Sequence, residues 1–221
     1  VKQLSIAAFQ NTVSRPDPWS YEKVFRSRGY RFIAGIDEAG RGTLCGPVVA
    51  AAVILSPDTD LPGVDDSKKL TARTRDVLFD LIKAKARATG VGIATHAEID
   101  TLNILEATRL AMGRAVSALE LTPDMLLTDA VALPAVGIPY QAIIHGDALS
   151  ITISAASIIA KVSRDRIMQS LHQQYPQYAF NRNKGYATQD HRQALAKFGP
   201  CPIHRTTFRG VKEFYERREN L

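Results

Sequence analysis

Apolar residues in this chain come in short runs that end in acids. Phe32 to Ile36 leads directly into Asp37 and Glu38, and after a glycine-rich stretch Pro47 to Leu55 forms the longest apolar run. Runs of this length, bounded by Gly40, Gly42 and Gly46, predict two buried strands joined by a tight loop, a hairpin spanning Tyr30 to Leu55. A loop rich in Pro, Gly and Asp (Ser56 to Asp65) leads to Asp66-Ser67-Lys68-Lys69-Leu70. Thr71 then caps a predicted helix that runs to the neighbourhood of Ala88 and ends at Gly90. Val91 to Thr95 reads as a strand. Ala97 to Glu120 reads as one helix, with Leu102, Leu105, Met112, Val116 and Leu119 at helical steps. Met125 to Thr128 predicts a strand ending at Asp129, and Tyr140 to Ile144 another ending at Gly146-Asp147. Leu149 to Gln174 predicts a long helix with Ala156, Ile159, Ala160, Ser163, Ile167 and Leu171 on its packing stripe. A glycine-containing basic loop around Tyr186, a helix from Thr188 to Phe198 and a charged helical tail complete the chain. Residues 1–29 show no sustained period and read as an N-terminal extension packed loosely on a single domain of residues 30–221.

Strands alternating with helices indicate an α/β domain, whose sites are expected at strand ends. Composition narrows the partner. Net charge is +6 and the pI about 9.4, which favours a polyanion. The two cysteines, Cys45 and Cys201, form no disulfide framework, and a reducing, cytoplasmic setting is expected. No stretch has the length of a membrane span. No heptad or exposed apolar stripe suggests self-association, so a monomer is the expectation.

The acids carry the candidate chemistry. Asp37, Glu38, Asp129 and Asp147 each end a predicted strand, and if those strands are neighbours the carboxylates meet at one edge of the sheet. Like charges held that closely call for a cation. Hard oxygen ligands favour Mg²⁺ or Mn²⁺. Two such ions about 4 Å apart suit phosphodiester cleavage. Arg41, held between Gly40 and Gly42, can approach a ligand closely, and Lys68, Lys69, Lys161, Arg164 and Lys184 are candidates for phosphate contacts. Ser157, Lys161 and Arg164 share one helix face, which in isolation reads as solvated. Tyr186, between Gly185 and Ala187, is placed to stack on a sugar or base. Asp66 and Asp165 lie beside basic residues and read as salt-bridge partners. The five histidines form no HxxxH or HxH pair and there is no CxxC, which argues against zinc. GxSxG and GKS/T motifs are absent, which sets aside a serine hydrolase and a P-loop NTPase.

The ordered blocks IAGIDEAGRG with GPVVAAAVIL, DSKKLT, NILEATRLAM, GDALSITISAASIIAKVSRDRIM, NKGYATQDH and GPCPIHRTTF closely resemble the ribonuclease HII family. The resemblance implies a ribonuclease H-like α/β fold, a central mixed sheet flanked by helices with a C-terminal helical part. It implies cleavage of the RNA strand of RNA–DNA hybrids and nicking of duplex DNA 5′ to an embedded ribonucleotide. It also implies that Asp37, Glu38, Asp129 and Asp147 hold the metal ions, that Gly40-Arg41-Gly42 grip the 2′-hydroxyl and adjoining phosphate, and that Tyr186 senses the junction. Lys184, Lys161 and Arg164 fall at the family's basic positions. The sequence departs from the family pattern at Thr43, where proline is usual, at Cys45, at Ala130, where glycine is common, at His145 in place of lysine, and at Leu149.

Three rivals share parts of this pattern. Ribonuclease HIII carries a larger N-terminal binding domain, for which residues 1–29 are too short. An inactive nucleic-acid-binding module would not need four carboxylates. A DNA junction resolvase would not need a 2′-hydroxyl. Contact with a sliding clamp or polymerase is left open by the sequence; Phe214 and Tyr215 in the tail read as part of a capping helix.

Overall fold

The computed structural model describes residues 17–57, 59–64, 67, 70–133 and 136–219. Its sheet is built from β1 (Ile33–Ala39), β2 (Val48–Ile54), β3 (Ala88–Ala94), β4 (Met125–Asp129) and β5 (Tyr140–Ile143), in the spatial order β3-β2-β1-β4-β5. β1 and β2 form the expected antiparallel hairpin and β2 pairs antiparallel with β3, whereas β4 and β5 join β1 in parallel. The sheet is therefore mixed, and its parallel half sets β1, β4 and β5 side by side with their C-terminal ends together.

Nine α-helices appear among the described residues: α1 (Ser20–Ser27), α2 (Ala72–Lys85), α3 (His96–Leu102), α4 (Ile104–Ser117), α5 (Gly146–Leu149), α6 (Ile151–Gln174), α7 (Phe180–Asn183), α8 (Gln189–Phe198) and α9 (Lys212–Glu219). Alternation along the strands decides which layer each residue enters. Ala34 and Ile36 of β1, with Val48, Ala50 and Ala52 of β2, pack with Ala107, Ala111 and Ala115 of α4. Ala51 and Val53 point the other way, onto Ala155, Ala156 and Ile159 of α6 with Leu78 and Ile82 of α2. Two apolar layers thus enclose the sheet. A third cluster around Tyr178, Phe180, Leu195 and Ile203 roots the C-terminal helices, with Phe214 and Tyr215 of α9 packed against it. No helix among the described residues is long and apolar enough to cross a membrane.

Close approach explains the small residues on α6. A Cβ added at Gly35 would stand 2.1 Å from the Thr152 carbonyl carbon, so α6 rests directly on the β1 backbone.

Three expectations need correction. Gly90 does not end α2, which stops at Lys85; Gly90 lies within β3, where a Cβ would meet the Ala115 carbonyl oxygen at 2.1 Å. The single helix expected over 97–120 is two helices, because Asn103 takes φ 73° and its side chain accepts from the Leu105 and Glu106 amides, capping α4. The segment before Gly29 is not loosely packed where it is described. Phe25 is fully buried, and the buried Glu22 accepts from Ser150 Oγ, Thr152 N–H and Thr152 Oγ1 at the start of α6. A carboxyl suits that position because the first amides of a helix lack partners inside it. Residues 1–16 lie outside the described part.

Candidate active site

Register and alternation together bring the acids into contact. Ile36 of β1 pairs with Thr128 of β4, so Asp37 and Asp129 occupy neighbouring positions at the ends of parallel strands. Both continue the alternation that points Gly35 towards α6. Asp147 does not end a strand as expected. It lies on the short helix α5, a turn beyond β5, that leads into α6. Carboxylate oxygens of Asp37, Asp129 and Asp147 lie within 4.8 Å of one another. The Gly146 amide donates to Asp129 Oδ1 at 2.9 Å, tying the second acid to the turn that carries the third. Glu38 follows Asp37 directly and so leaves the strand on its opposite face. It lines the same cleft, where Arg41 Nη1 donates to its Oε1 at 3.0 Å. The acids expected at one edge are therefore a tight group of three with Glu38 beside it.

Two departures from the family pattern lie on the strained backbone of this corner. Ala130 has φ 54° and His145 has φ 57°, both in the left-handed region that favours glycine. The common glycine after the acid thus has a conformational reason, and Ala130 occupies the position under strain.

Burial, reinforced by Glu38, Asp129 and Asp147, holds the Asp37 carboxyl well above the usual carboxylate range. A divalent cation relieves that repulsion, and a donor set made only of carboxylate oxygens suits Mg²⁺ or Mn²⁺. The residues present therefore fit a hard divalent metal.

The cleft over the acids, about 210 Å³, is lined by Gly40, Arg41, Gly42, Ser67, Ser157, Lys161 and Tyr186. Tyr186 is 44% exposed, with the Lys161 ammonium 5.9 Å from its ring centroid. Lys161 is also paired with Asp165 at 2.7 Å, the salt-bridge role expected of that acid. Burial, and then Lys161, Arg164 and Arg75, lower the Lys184 ammonium below its ordinary range, against the pull of Asp165. Such a crowd of cations is relieved by an anion. Lys68, with Lys69 and Asp66, lies outside the described residues.

Arg164 is the clear correction. Expected on a solvated face and facing phosphate, it is fully buried. Its guanidinium donates to the carbonyls of Pro47, Lys184 and Cys45 and to Thr43 Oγ1, over 2.8–3.3 Å. It holds the glycine loop and the tyrosine loop together and has no path to a phosphate. Thr43 completes this arrangement, its hydroxyl lying 3.0 Å from the Gly40 carbonyl oxygen and 3.1 Å from that of Cys45.

The residues not singled out from the sequence do similar work. Arg205, also fully buried, donates to the carbonyls of Gly40 (2.6 Å), Arg41 (2.8 Å) and Gly46 (3.0 Å). His191 and His204, buried and 13 residues apart in sequence, meet Nε2 to Nε2 at 3.1 Å. The block GPCPIHRTTF contained His204 and Arg205, and NKGYATQDH contained His191, but local spacing says nothing about an arginine that reaches back to the first hairpin. His191, His204 and Cys45 bring potential metal donors within 4.8 Å of one another. Burial pushes the Cys45 thiol up to about 12, and Arg164 and Arg205 already supply positive charge beside it, so this cluster is not built for a cation.

Comparison with known proteins decides the relationship. The profile of the family described as Ribonuclease HII matches residues 34–211. The chain belongs to the ribonuclease HII family. That makes it a ribonuclease H, an endonuclease that hydrolyses phosphodiester bonds. Ribonuclease HII of Geobacter sulfurreducens is 57% identical over 199 residues, covering 90% of this chain and 92% of that protein. Among solved structures, ribonuclease H2 from Pyrococcus horikoshii OT3 superposes with TM-score 0.71 at 29% identity, covering 86% of this chain and all (100%) of that one. Ribonuclease HII from Archaeoglobus fulgidus, solved in complex with PCNA, gives TM-score 0.70 at 28% identity over 81% of this chain and 96% of that one.

Proposed function

We propose that the chain cleaves the RNA strand of RNA–DNA hybrids and nicks duplex DNA on the 5′ side of an embedded ribonucleotide, leaving a 5′-phosphate and a 3′-hydroxyl. Mg²⁺ or Mn²⁺, two ions in the substrate complex, would serve it, and ribonucleotide excision repair and primer removal are its roles. The observation that supports this reading is the group of three carboxylates, Asp37, Asp129 and Asp147, beneath a rim carrying Gly40-Arg41-Gly42 and Tyr186.

When bound, divalent ions supply an activated water and charge neutralisation at the leaving oxygen. Asp37, Asp129 and Asp147 would hold them, with Glu38 completing the set. Gly40 and Gly42 give the scissile nucleotide close access to backbone amides, and Arg41 reaches its phosphate. Tyr186 stacks on the sugar or base at the junction, and its hydroxyl reads the ribose. Lys161 and Lys184 offer charge to neighbouring phosphates, and Lys68 is proposed for the same role. A cytoplasmic location and a monomeric state belong to this proposal. The complex of the Archaeoglobus protein with PCNA makes a sliding clamp a partner to test.

The test is cleavage of duplex DNA carrying one ribonucleotide against the all-DNA duplex, with Mg²⁺, with Mn²⁺ and with chelator. A metal-dependent nick 5′ to the ribonucleotide, absent from DNA alone, is expected. Binding without cleavage under either metal, or cleavage that ignores the ribose, would overturn the proposal.

A further inference from the structure

The buried histidine pair has no part in the chemistry above, yet its geometry closes on one protonation pattern. His191 Nδ1 lies 2.9 Å from the Tyr186 carbonyl oxygen, which only accepts, so that nitrogen carries the proton and Nε2 is left as an acceptor. His204 Nδ1 accepts from the Cys201 amide at 3.0 Å. Cys201 Sγ and the Cys201 carbonyl oxygen lie near the same nitrogen, each at 3.2 Å. The contact between the rings resolves the choice. Two unprotonated Nε2 atoms would not sit 3.1 Å apart, so His204 Nε2–H donates to His191 Nε2. Every ring nitrogen then has a partner. Tyr178 and Phe180 pack their rings against both imidazoles, and in such dry surroundings the bond gains strength.

This bond stands between the two loops that line the cleft. On one side, His191 holds the carbonyl of Tyr186 itself. On the other, His204 precedes Arg205, whose guanidinium holds Gly40, Arg41 and Gly46. The contacts that bind the loops together directly, Leu44 N–H to the Gly185 carbonyl and Arg164 to the Lys184 carbonyl, stop short of Tyr186.

We infer that His191 and His204 are positioning residues for ribonucleotide recognition: their shared hydrogen bond fixes the Tyr186 loop relative to the Gly40-Arg41-Gly42 loop. The inference rests on the function proposed above, in which those loops read the ribose and the junction.

Asparagine at either position separates this role from general folding. An Asn amide reaches the place of Nδ1 but not that of Nε2. His191→Asn therefore keeps a donor for the Tyr186 carbonyl, His204→Asn keeps an acceptor for the Cys201 amide, and each loses the shared bond. Specificity constants are measured for wild type, both single variants and the double variant, on duplex DNA with one ribonucleotide and on a uniform RNA–DNA hybrid. Each single variant is expected to lose on the order of ten- to a hundredfold on the single-ribonucleotide duplex, the scale of a small misplacement, and much less on the hybrid. The double variant is expected to be no worse than either single one, and the loss to vanish in a Tyr186→Ala background, since all act through one element. Equal losses on both substrates, multiplying losses, or no loss would overturn the inference. His204→Gln, whose amide reaches the Nε2 position, is expected to retain the wild-type preference. It carries the test if the asparagine variants fail to fold, and loss of preference in it would also overturn the inference. A wild-type protein that does not distinguish the ribonucleotide at all would instead overturn the proposed function.

Discussion

Charge is buried on both sides of the glycine loop, and the two sides use it in opposite ways. At the ends of β1 and β4 and in the turn before α6, carboxylates within 4.8 Å of one another repel, and burial adds to the pressure on Asp37. Behind the loop, Arg164 and Arg205 are fully buried too, but their donors are directed onto backbone carbonyls of the residues that shape the cleft. The first arrangement keeps electrostatic stress that a bound cation relieves. The second uses charge to make the rim rigid. Substitution in the acidic corner should therefore cost activity and gain stability, whereas substitution in the arginine buttress should cost stability first.

The sharpest test is Asp37→Asn. Cleavage should be abolished while hybrid binding persists, because the rim is untouched. In chelator the variant should be more stable than wild type, because a neutral amide replaces a carboxyl that burial and its acidic neighbours hold well above the usual carboxylate range. The pH dependence has a definite sign. The folded protein holds the Asp37 proton more tightly than the unfolded chain, whose reference value is 3.8. Its contribution is fully present below that value and is lost as pH rises through the raised folded pKa. Chelated wild type should lose stability over that window, Mg²⁺ should offset the loss, and the variant should lack this component. Denaturant unfolding at several pH values checks each part, and a variant no more stable than wild type would break the comparison.

The opposite arm is Arg164→Met, which keeps the length and apolar stem of the side chain. It orphans the carbonyls of Pro47 and Lys184, while that of Cys45 keeps the Thr43 hydroxyl, and at about 1–3 kcal/mol for each unsatisfied buried group the loss should be roughly 2–6 kcal/mol. The unfolding midpoint should fall whether or not metal is added. If instead stability held and only affinity for nucleic acid fell, Arg164 would belong with the phosphate contacts after all.

The same contrast explains what the sequence made legible. An apolar run followed by an acid is a local pattern, and it located Asp37, Glu38 and Asp129 together with the strands that carry them. Asp147 was found as well, though a helical turn delivers it. The failure came with the cations. Lys161 and Arg164 stand less than one turn apart on α6 and look alike in sequence, yet one lines the cleft and the other is sealed beneath it. That difference depends on loops 20 and 121 residues away, where Arg164 reaches Lys184 and Thr43. Arg205 and the histidine pair were silent for the same reason. Asn103 and Gly90 misled differently, since a capping asparagine and a strand glycine under a helix look like helix interior and helix end until the neighbouring layer is in place.

A third test addresses how the acidic corner is held. Gly35→Ala places a methyl group 2.1 Å from the Thr152 backbone, so α6 must lift from β1. Overpacking of this kind costs roughly 1–3 kcal/mol. Because α6 starts just after Asp147, the shift also separates that acid from Asp37. Activity at saturating metal should fall, and the apparent metal requirement should rise. A loss of stability with an unchanged metal titration would show that the acids are placed by their own turns and not by the contact of helix and strand.

The smallest effect is expected at Ala130. Its φ of 54° places an alanine where glycine is at ease, immediately after Asp129. The left-handed conformation costs a non-glycine residue roughly 1–2 kcal/mol, while glycine adds unfolded-state entropy that returns about 0.4–1 kcal/mol of the gain. Ala130→Gly should therefore stabilise the protein by roughly 0.5–1 kcal/mol, the difference of those two, a shift readable in the unfolding midpoint. The strain has been tolerated because the neighbouring bonds fix this turn from both directions: the Ala130 amide donates to the Ile143 carbonyl at 2.9 Å and the Val131 amide to the Asp129 carbonyl at 2.7 Å. Those bonds remain in the variant, so Asp129 keeps its place and the metal titration should not move. A gain in stability with unchanged activity would mean that backbone strain in the acidic corner is incidental and its charge repulsion alone is functional. A gain accompanied by a weaker metal requirement or slower cleavage would mean that the strained turn itself aims the carboxylate.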